Sequence, residues 1–261
     1  MNYFKYEVLN RVRLMRRRRK RIVVVGAGRV GSWAVYYLVK RGYRIITAID
    51  GDRVTEDTVS RDGETMYTFF DLDRFKVDAL MEKIMREFPD TSFTKHRKNL
   101  RPNMSYDELN DLFEDSVLVI WAVDTRAGLR VTENAEFMLE RLGIAPGMHA
   151  IHGGGHVVYW IPFVTPCIKH SLGLESFRQI NENDAHRSNI TIRDIKVVVK
   201  NTIQAVDFLL SINLWRFMED IDPAVTNTLE IEKRLWFFYK RNWLSQGFGR
   251  NCPLCNQIIN H

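Results

Sequence analysis

The chain has 261 residues, of which 45% are hydrophobic, so it is long enough for one large domain or one domain with small appendages. Its formal net charge is +6. No apolar stretch approaches the roughly 20 residues that a membrane span needs, and no small-residue cleavage site follows the basic N-terminus. These features argue against a membrane protein and against a secretory signal, so we expect a cytoplasmic protein with no membrane partner.

The positive charge is concentrated in one run of cations at residues 16–21. The rest of the chain is close to neutral, so basicity is a local property. Such a run is able to contact nucleic acid or an acidic partner. We favour a solvated helix end, because no interleaved aromatic residues support nucleic-acid binding. We therefore expect a basic N-terminal helix or arm over 1–21 and a single domain over 22–261.

The first predicted elements form a strand, a turn, a helix and a second strand. Ile22 to Val25 is a β-branched run typical of a buried parallel strand. Ser32 to Lys40 has helical spacing, and Gly42 is placed to end that helix. Ile45 to Ile49 is the second strand. This order predicts the β-turn-α-β unit of dinucleotide-binding folds.

Further along the chain, helical and strand patterns continue to alternate. Val117 to Val123 is a strongly apolar strand that brings Asp124 to its carboxyl end, where parallel sheets collect ligands. We predict helices at 76–88, 131–142 and 195–212, strands or β-rich stretches at 150–163 and 229–239, and a mobile loop at 172–189. The fold class expected is α/β, with a largely parallel Rossmann-like sheet flanked by helices.

Glycines follow the first strand at positions 26, 28 and 31, where they allow a tight turn and close approach of the backbone to phosphate. Asp50 ends the second strand at the position from which a carboxylate binds ribose hydroxyls. An ordinary turn aspartate is the alternative, and Asp52 fits a turn or supporting role. Many folds share the glycine pattern, including nicotinamide-dependent oxidoreductases.

A longer series of residues narrows this interpretation. The segments 50–54 (Asp-Gly-Asp-Arg-Val) and 59–61 (Val-Ser-Arg) are followed by Lys76 and by Asp124 with Arg130. This order and spacing resembles the ThiF/MoeB superfamily of adenylating enzymes, which are related to ubiquitin-activating enzymes. The match departs from the family motif at 57–59, where the family has Ser-Asn-Leu, and at Asp62, where it has glutamine.

The resemblance implies that the chain binds ATP. It assigns Asp50 to the ribose, Arg61 and Lys76 to the phosphates, and Asp124 to the neighbourhood of Mg²⁺. These roles are chemically sound, because two cations offset triphosphate charge and a carboxylate at a strand end can hold Mg²⁺ directly or through water.

The three cysteines and one histidine suggest a metal site. Two cysteines form the pair Cys252 and Cys255, a spacing that indicates metal binding in a reducing compartment. Cys167 and His170 have the same spacing, and the family commonly closes its C-terminal section with two such pairs on zinc. The resemblance therefore implies a structural Zn²⁺ site of four ligands. The alternative is that His170 is a surface residue, in which case the zinc has three protein ligands or is lost.

The resemblance also implies the reaction and the partners. The substrate carboxylate would be the C-terminal glycine of a ubiquitin-like or sulfur-carrier protein ending in Gly-Gly, and the enzyme would be a homodimer. The loop at 172–189 contains no cysteine to accept the acyl group, so we expect the reaction to stop at the acyl-adenylate. The alternatives are adenylation of a small molecule, a peptide or a modified tRNA base, and a non-catalytic nucleotide-binding scaffold.

Overall fold

The computed structural model describes residues 18–59, 64–101, 103–123, 147–150, 157–160 and 192–210. The strands in these ranges are β1 (Arg21–Val25), β2 (Ile45–Ile49), β3 (Ser92–His96), β4 (Ser116–Trp121), β5 (Gly147–Ala150) and β6 (Val157–Trp160). The α-helices are α1 (Arg29–Lys40), α2 (Lys76–Glu87), α3 (Tyr106–Phe113) and α4 (Ile192–Leu209), and a 3₁₀ turn covers Phe69–Asp71.

The six strands form one sheet in the order β3-β2-β1-β4-β5-β6. The first five are parallel, and β6 runs antiparallel to β5. The α/β class and the largely parallel sheet predicted from the sequence are therefore confirmed. The carboxyl ends of β1, β2, β3 and β4 meet at one edge of the sheet, which we call the carboxyl edge.

Helices cover both faces of the sheet. The side chains of each strand point alternately to the two faces, and both sets are apolar, so both faces must be buried. Ile22 and Val24 of β1 pack on the face covered by α1, α2 and α4. Val23 and Val25 point to the opposite face, where α3 packs against them. These four side chains are at most 5% exposed. Burial of each contributes about 1.5–3 kcal/mol, which makes β1 the centre of the core.

Several element boundaries differ slightly from their sequence predictions. Helix α1 begins at Arg29, three residues before the predicted start, and Gly42 follows its end with φ +103°, as a helix-ending glycine does. Strand β4 ends at Trp121, so Asp124 comes three residues after the strand. The predictions for 131–142, 172–189 and 229–239 lie outside the described residues.

The described end of the basic run lies at the amino ends of the strands, opposite the carboxyl edge. Arg21 is the first residue of β1, and its guanidinium donates to the Thr47 hydroxyl at 3.1 Å and to the Leu112 carbonyl at 3.1 Å. Arg18 is exposed and pairs with Asp90 at 3.2 Å. These cations join elements of the fold. None of the helices in the described ranges is both long and apolar enough to cross a membrane.

Candidate nucleotide-binding site

The turn from β1 to α1 brings backbone atoms unusually close together. Gly26 has φ +88°, and its N–H donates to the carbonyl of Ile49 at 2.8 Å. A Cβ on Gly31 would lie 1.8 Å from the Gly26 carbonyl oxygen, so the first turn of α1 packs directly on the glycine turn. A Cβ on Gly28 would have no atom within 4 Å. Gly28 therefore borders open space at the carboxyl edge.

The start of α1 is suited to an anion. Gly28 is its N-cap and supplies no capping side chain, and the first turn contains no acidic residue. The first residue, Arg29, adds a positive charge and pairs with Glu64 at 3.3 Å. Since backbone N–H groups and the helix dipole favour negative charge at this end, the open space beside Gly28 is a place for phosphate.

Asp50 links the glycine turn to the next loop. Its Oδ2 accepts from the Ala27 N–H at 2.7 Å, and its Oδ1 accepts from the Asp52 N–H at 2.8 Å. Burial raises the pKa of the Asp50 carboxyl above its usual value, while the charge of Lys76 and these two N–H groups oppose the rise. The half-buried carboxylate still has lone pairs available, so it is able to accept from ribose hydroxyls.

Lys76 is the first residue of α2, and both its backbone and its side chain contact the loop that contains Asp52. Its backbone N–H donates to the Asp52 carbonyl at 3.0 Å, and its Nζ lies 3.0 Å from Asp52 Oδ2. The Lys76 side chain is 14% exposed and that of Asp52 is 58% exposed. The structure therefore brings the predicted residues Asp50, Asp52 and Lys76 together in one loop, with the ammonium held by an exposed carboxylate.

Asn99 supports this loop and was not identified from the sequence. Its Oδ1 accepts from the Gly51 N–H at 3.0 Å, and its Nδ2 donates to Asp52 Oδ1 at 3.4 Å. A Cβ on Gly51 would lie 2.6 Å from this amide. Asn99 lies in the segment after β3 and reaches this loop because β3 is the neighbour of β2 in the sheet. No local sequence pattern indicates that contact.

Tyr67 is a second supporting residue that the sequence did not reveal. It is 1% exposed, and its hydroxyl donates to the Ala27 carbonyl at 2.6 Å. Burial raises the pKa of this phenol well above its usual value, and the carboxylates of Asp50 and Asp71 add to the rise. Tyr67 therefore stays neutral and fastens the glycine turn to the chain that leads to α2.

That chain, residues 64–75, is here called the connecting arm. Asp71 is 3% exposed and accepts from the Thr68 N–H at 2.8 Å and from the Lys83 ammonium at 2.5 Å. Although burial alone would raise the pKa of Asp71, the hydrogen bonds from Lys83 and Thr68 hold it below its usual value. This buried pair attaches the arm to α2 and so helps to position Lys76.

Six of the predicted site residues lie outside the described ranges: Arg61, Asp124, Cys167, His170, Cys252 and Cys255. The chain that leads to Asp124 nevertheless passes the glycine turn, because a Cβ on Gly26 would lie 2.4 Å from the Ala122 carbonyl and 3.2 Å from Val123. Among the described residues, no group of three or more His, Cys, Asp or Glu side chains is placed to hold a metal ion.

The described part of the site has the chemistry of a nucleotide phosphate and ribose pocket. It combines an open helix start at Gly28, an acceptor carboxylate on Asp50 and an ammonium on Lys76. Charge-assisted hydrogen bonds from a lysine and backbone N–H groups are suited to a polyphosphate. The ribose and phosphates of a nucleotide such as ATP therefore fit the residues present.

Comparison with known proteins shows which proteins this chain resembles. The family described as "ThiF family" matches residues 7–242. The Aspergillus clavatus protein named "Adenylyltransferase and sulfurtransferase uba4" is 28% identical over 110 residues, which are 42% of this chain and 21% of that protein. The Emericella nidulans protein of the same name is 28% identical over 107 residues, 41% of this chain and 21% of the relative. The chain thus spans about one fifth of the length of these curated relatives.

Among solved structures, the fold is similar to that of MccB from E. coli crystallised with ATP. The TM-score is 0.61 at 15% sequence identity, and the match covers 76% of this chain and 58% of that chain. At this identity the likeness extends to the fold alone.

Proposed function

Because the chain belongs to the ThiF family, we propose that it is an ATP-dependent adenylyltransferase that activates a substrate carboxylate. The observation that carries this proposal is the meeting of an open helix start at Gly28 with Asp50 and Lys76 at one edge of the sheet. A nicotinamide enzyme would share the glycine turn and the aspartate. Lys76 adds a cation beside them, which suits the greater negative charge of a triphosphate.

Lys76 is able to change partner when nucleotide binds. In its ion pair with Asp52, the carboxylate side chain is more than half exposed, so solvent screens the attraction. Exposed pairs of this kind contribute about 0–1 kcal/mol to stability. A phosphate beside the helix start carries more negative charge than one carboxylate. We therefore expect the phosphates to replace Asp52 as the partner of the Lys76 ammonium.

The remaining roles are proposed from the resemblance of the motifs in this sequence to those of the family. Asp50 accepts from the ribose, the turn at 26–31 cradles the phosphates, and Arg61 adds a second cation on them. Asp124 would hold Mg²⁺ directly or through water, and the bound ion would supply positive charge against the phosphates. In the reaction, a carboxylate oxygen attacks the α-phosphorus, the bond to the bridging oxygen breaks, and pyrophosphate leaves with the electron pair. Positioning and charge stabilisation supply the catalysis, since no protein nucleophile is required.

The proposed substrate is the C-terminal glycine of a ubiquitin-like or sulfur-carrier protein that ends in Gly-Gly. The names of the fungal relatives support an adenylation step, and the missing cysteine in 172–189 supports release of the acyl-adenylate without a thioester. We also propose a cytoplasmic homodimer with a structural Zn²⁺ bound by four residues: Cys167, His170, Cys252 and Cys255.

The test is exchange of radiolabelled pyrophosphate into ATP in the presence of Mg²⁺. We expect exchange with a carrier that ends in Gly-Gly and none with the same carrier lacking those two residues. Lys76→Met removes the ammonium from the phosphates and should lower exchange by about 100-fold or more. Lys40→Met is the matched control, because Lys40 is an exposed lysine at the far end of α1, and it should leave exchange unchanged.

Other outcomes of this experiment separate the alternatives. Exchange that depends on a peptide, a small carboxylate or a tRNA in place of a carrier would assign that substrate. ATP binding without exchange would identify a scaffold. Binding of NAD in preference to ATP, or full exchange in Lys76→Met, would contradict the proposed function.

A further inference from the structure

A cluster of cations lies beside the candidate nucleotide site and is not used by the proposed reaction. Its members, here called the edge cations, come from the loop after β2 and from the end of β3 and the segment that follows: Arg53, Lys95, Arg97, Lys98 and Arg101. From their geometry we propose that they form a surface that binds the phosphate backbone of single-stranded nucleic acid.

The centre of this surface is a stack of two arginines on one aromatic ring. The guanidinium carbon of Arg53 lies 4.2 Å from the centroid of the Phe75 ring, and that of Arg97 lies 4.9 Å from it. The Arg53 guanidinium also donates to the Asp73 carbonyl. Arg97 donates to Asp78 at 3.1 Å through Nε. Both guanidinium groups are therefore held in place before any ligand arrives, which reduces the entropy lost on binding.

The carboxylates that pair with the edge cations do not neutralise them. Asp78 serves both Lys95 and Arg97, each at 2.8 Å. Glu108 lies 3.8 Å from Arg101, a distance at which an exposed pair contributes little. On the side of α2, Arg53, Lys95 and Arg97 thus outnumber Asp78, the carboxylate that pairs with two of them. Lys98 and Arg101 lie near Glu108 of α3. A surplus of fixed positive charge on one surface is the electrostatic feature that attracts a polyanion.

The location of the surface connects it to the nucleotide site. Arg53 follows Asp52, Phe75 precedes Lys76, and Asn99 lies within the segment that carries Arg97, Lys98 and Arg101. The same three segments therefore build both regions. This proposal goes beyond the proposed function and does not depend on it, since binding can be measured without ATP.

Nucleic acid fits this surface better than an acidic protein segment for two reasons. Guanidinium groups match phosphate oxygens with paired N–H donors, and their planes stack on bases as well as on Phe75. Arg53 and Arg97 also lie on one ring, so two guanidinium groups are presented side by side to a ligand with closely spaced phosphates. A nucleic-acid backbone carries a phosphate at every nucleotide.

The sequence alone directs attention to the run at 16–21, whereas the structure directs it elsewhere. The Arg21 guanidinium donates to the Thr47 hydroxyl and to the carbonyls of Leu112 and Glu114. Arg18 pairs with Asp90. Both arginines lie at the amino ends of the strands, opposite the nucleotide site. The two regions can therefore be compared directly by substitutions that remove equal charge.

The experiment is fluorescence anisotropy with labelled single strands of about 20 nucleotides, as RNA and as DNA of the same sequence, over a series of salt concentrations. We expect binding, with affinity that falls as salt rises. The pair of substitutions Arg53→Gln and Arg97→Gln should weaken binding by about tenfold and reduce the salt slope by about 1.4, which corresponds to two phosphate contacts. Comparison of the two strands shows whether the 2′-hydroxyl contributes.

The control is the pair Arg18→Gln and Arg19→Gln, which removes the same charge from the opposite end of the sheet and should change affinity little. Far-ultraviolet circular dichroism and the melting temperature report that each variant is folded. If the glutamine pair does not fold, Arg53→Lys with Arg97→Lys should weaken binding while keeping the salt slope. The proposal is overturned if the chain binds neither strand, if both pairs lose affinity equally, or if a polyglutamate peptide competes as well as RNA.

Discussion

At the scale of single residues, the glycines of the site have different tasks although they belong to one motif. Gly31 is required by packing, because a Cβ there would lie 1.8 Å from a backbone oxygen. A backbone atom cannot move aside as the end of a flexible side chain can. Gly28 has open space around it and no such requirement. Its lack of a side chain matters only if a ligand approaches the backbone there. Stability and nucleotide affinity should therefore separate at these two positions.

We predict that Gly31→Ala lowers the free energy of unfolding by about 1–3 kcal/mol or more, since overpacking here forces the backbone of α1 away from the glycine turn. Gly28→Ala should leave unfolding nearly unchanged but weaken ATP binding, because the methyl group takes up space meant for phosphate. Urea unfolding without ligand and calorimetric titration with ATP measure the two effects. Equal loss of stability in both variants would contradict this division of roles.

How much of the site was visible in the sequence depends on where each residue's neighbours come from. Asp50 and Lys76 follow recognisable spacing, and the structure places both at the carboxyl edge. Asn99 and Tyr67 contact the same turn and loop but belong to no motif. Their hydrogen bonds arise because β3 lies beside β2 and because the connecting arm returns to Ala27. Such contacts depend on tertiary structure, so spacing alone does not predict them.

At the scale of elements, the connecting arm depends on one buried ion pair. Asp71 is nearly inaccessible. The ammonium of Lys83 on α2 lies 2.5 Å from one of its oxygens, and the more exposed guanidinium of Arg74 lies 3.6 Å from the other. Removing one member of a buried pair leaves an uncompensated charge, which costs far more than breaking an exposed pair. The same region supplies a comparison, because Arg74 and Glu82 form an exposed pair a few residues away.

We predict that Lys83→Met lowers the free energy of unfolding at neutral pH by up to about 3 kcal/mol, since Asp71 then stays buried with only the more distant and more exposed Arg74 as a cation. Glu82→Gln, which removes the exposed pair, should cost less than about 1 kcal/mol. Urea unfolding of both variants measures the difference. Similar small losses in the two variants would show that Asp71 reaches solvent when its partner is absent.

The pH dependence of these variants follows from the direction of the Asp71 shift. The pKa of Asp71 is lowered in the folded protein, so its ionised form stabilises the fold above the unfolded value of about 3.9. This contribution is lost as the pH falls from there through the folded pKa. In Lys83→Met, burial acts without the ammonium and favours the neutral acid. We therefore expect acidification to cost this variant less stability than it costs the wild type.

The elements that the sequence predicted well are those with continuous apolar runs, namely β1, β2 and β4 in the middle of the sheet. β3 was missed because it is an edge strand with a largely polar sequence, Ser-Phe-Thr-Lys-His. α3 was missed because it is short, although Ser105 and Glu108 form a capping box that a local search would detect. β3 is fixed by pairing with β2, which is far away in sequence, and α3 by packing of its last residue, Phe113, on Trp121 of the next strand. Local spacing predicts neither contact.

At the scale of the whole molecule, the sheet brings together residues that are far apart in the chain. The proposed zinc would likewise join two distant segments of the C-terminal section. Its two ligand pairs, at 167–170 and 252–255, are separated by α4, which packs on α1. A metal that joins them would connect the chain on either side of this helix. The binding free energy of such a structural ion adds to the free energy of folding.

We predict that the purified protein carries about one zinc ion per chain and that Cys252→Ser abolishes stoichiometric zinc, because a tetrahedral structural site does not retain the metal tightly after losing a thiolate. His170→Gln separates the four-ligand hypothesis from the three-ligand one, since only the former predicts weaker binding. His156→Gln is the control, as this histidine is outside the proposed set. Metal content by mass spectrometry and release to a chromogenic chelator measure the outcome. Full zinc content in Cys252→Ser would contradict the site, and unchanged affinity in His170→Gln would leave the three cysteines as its protein ligands.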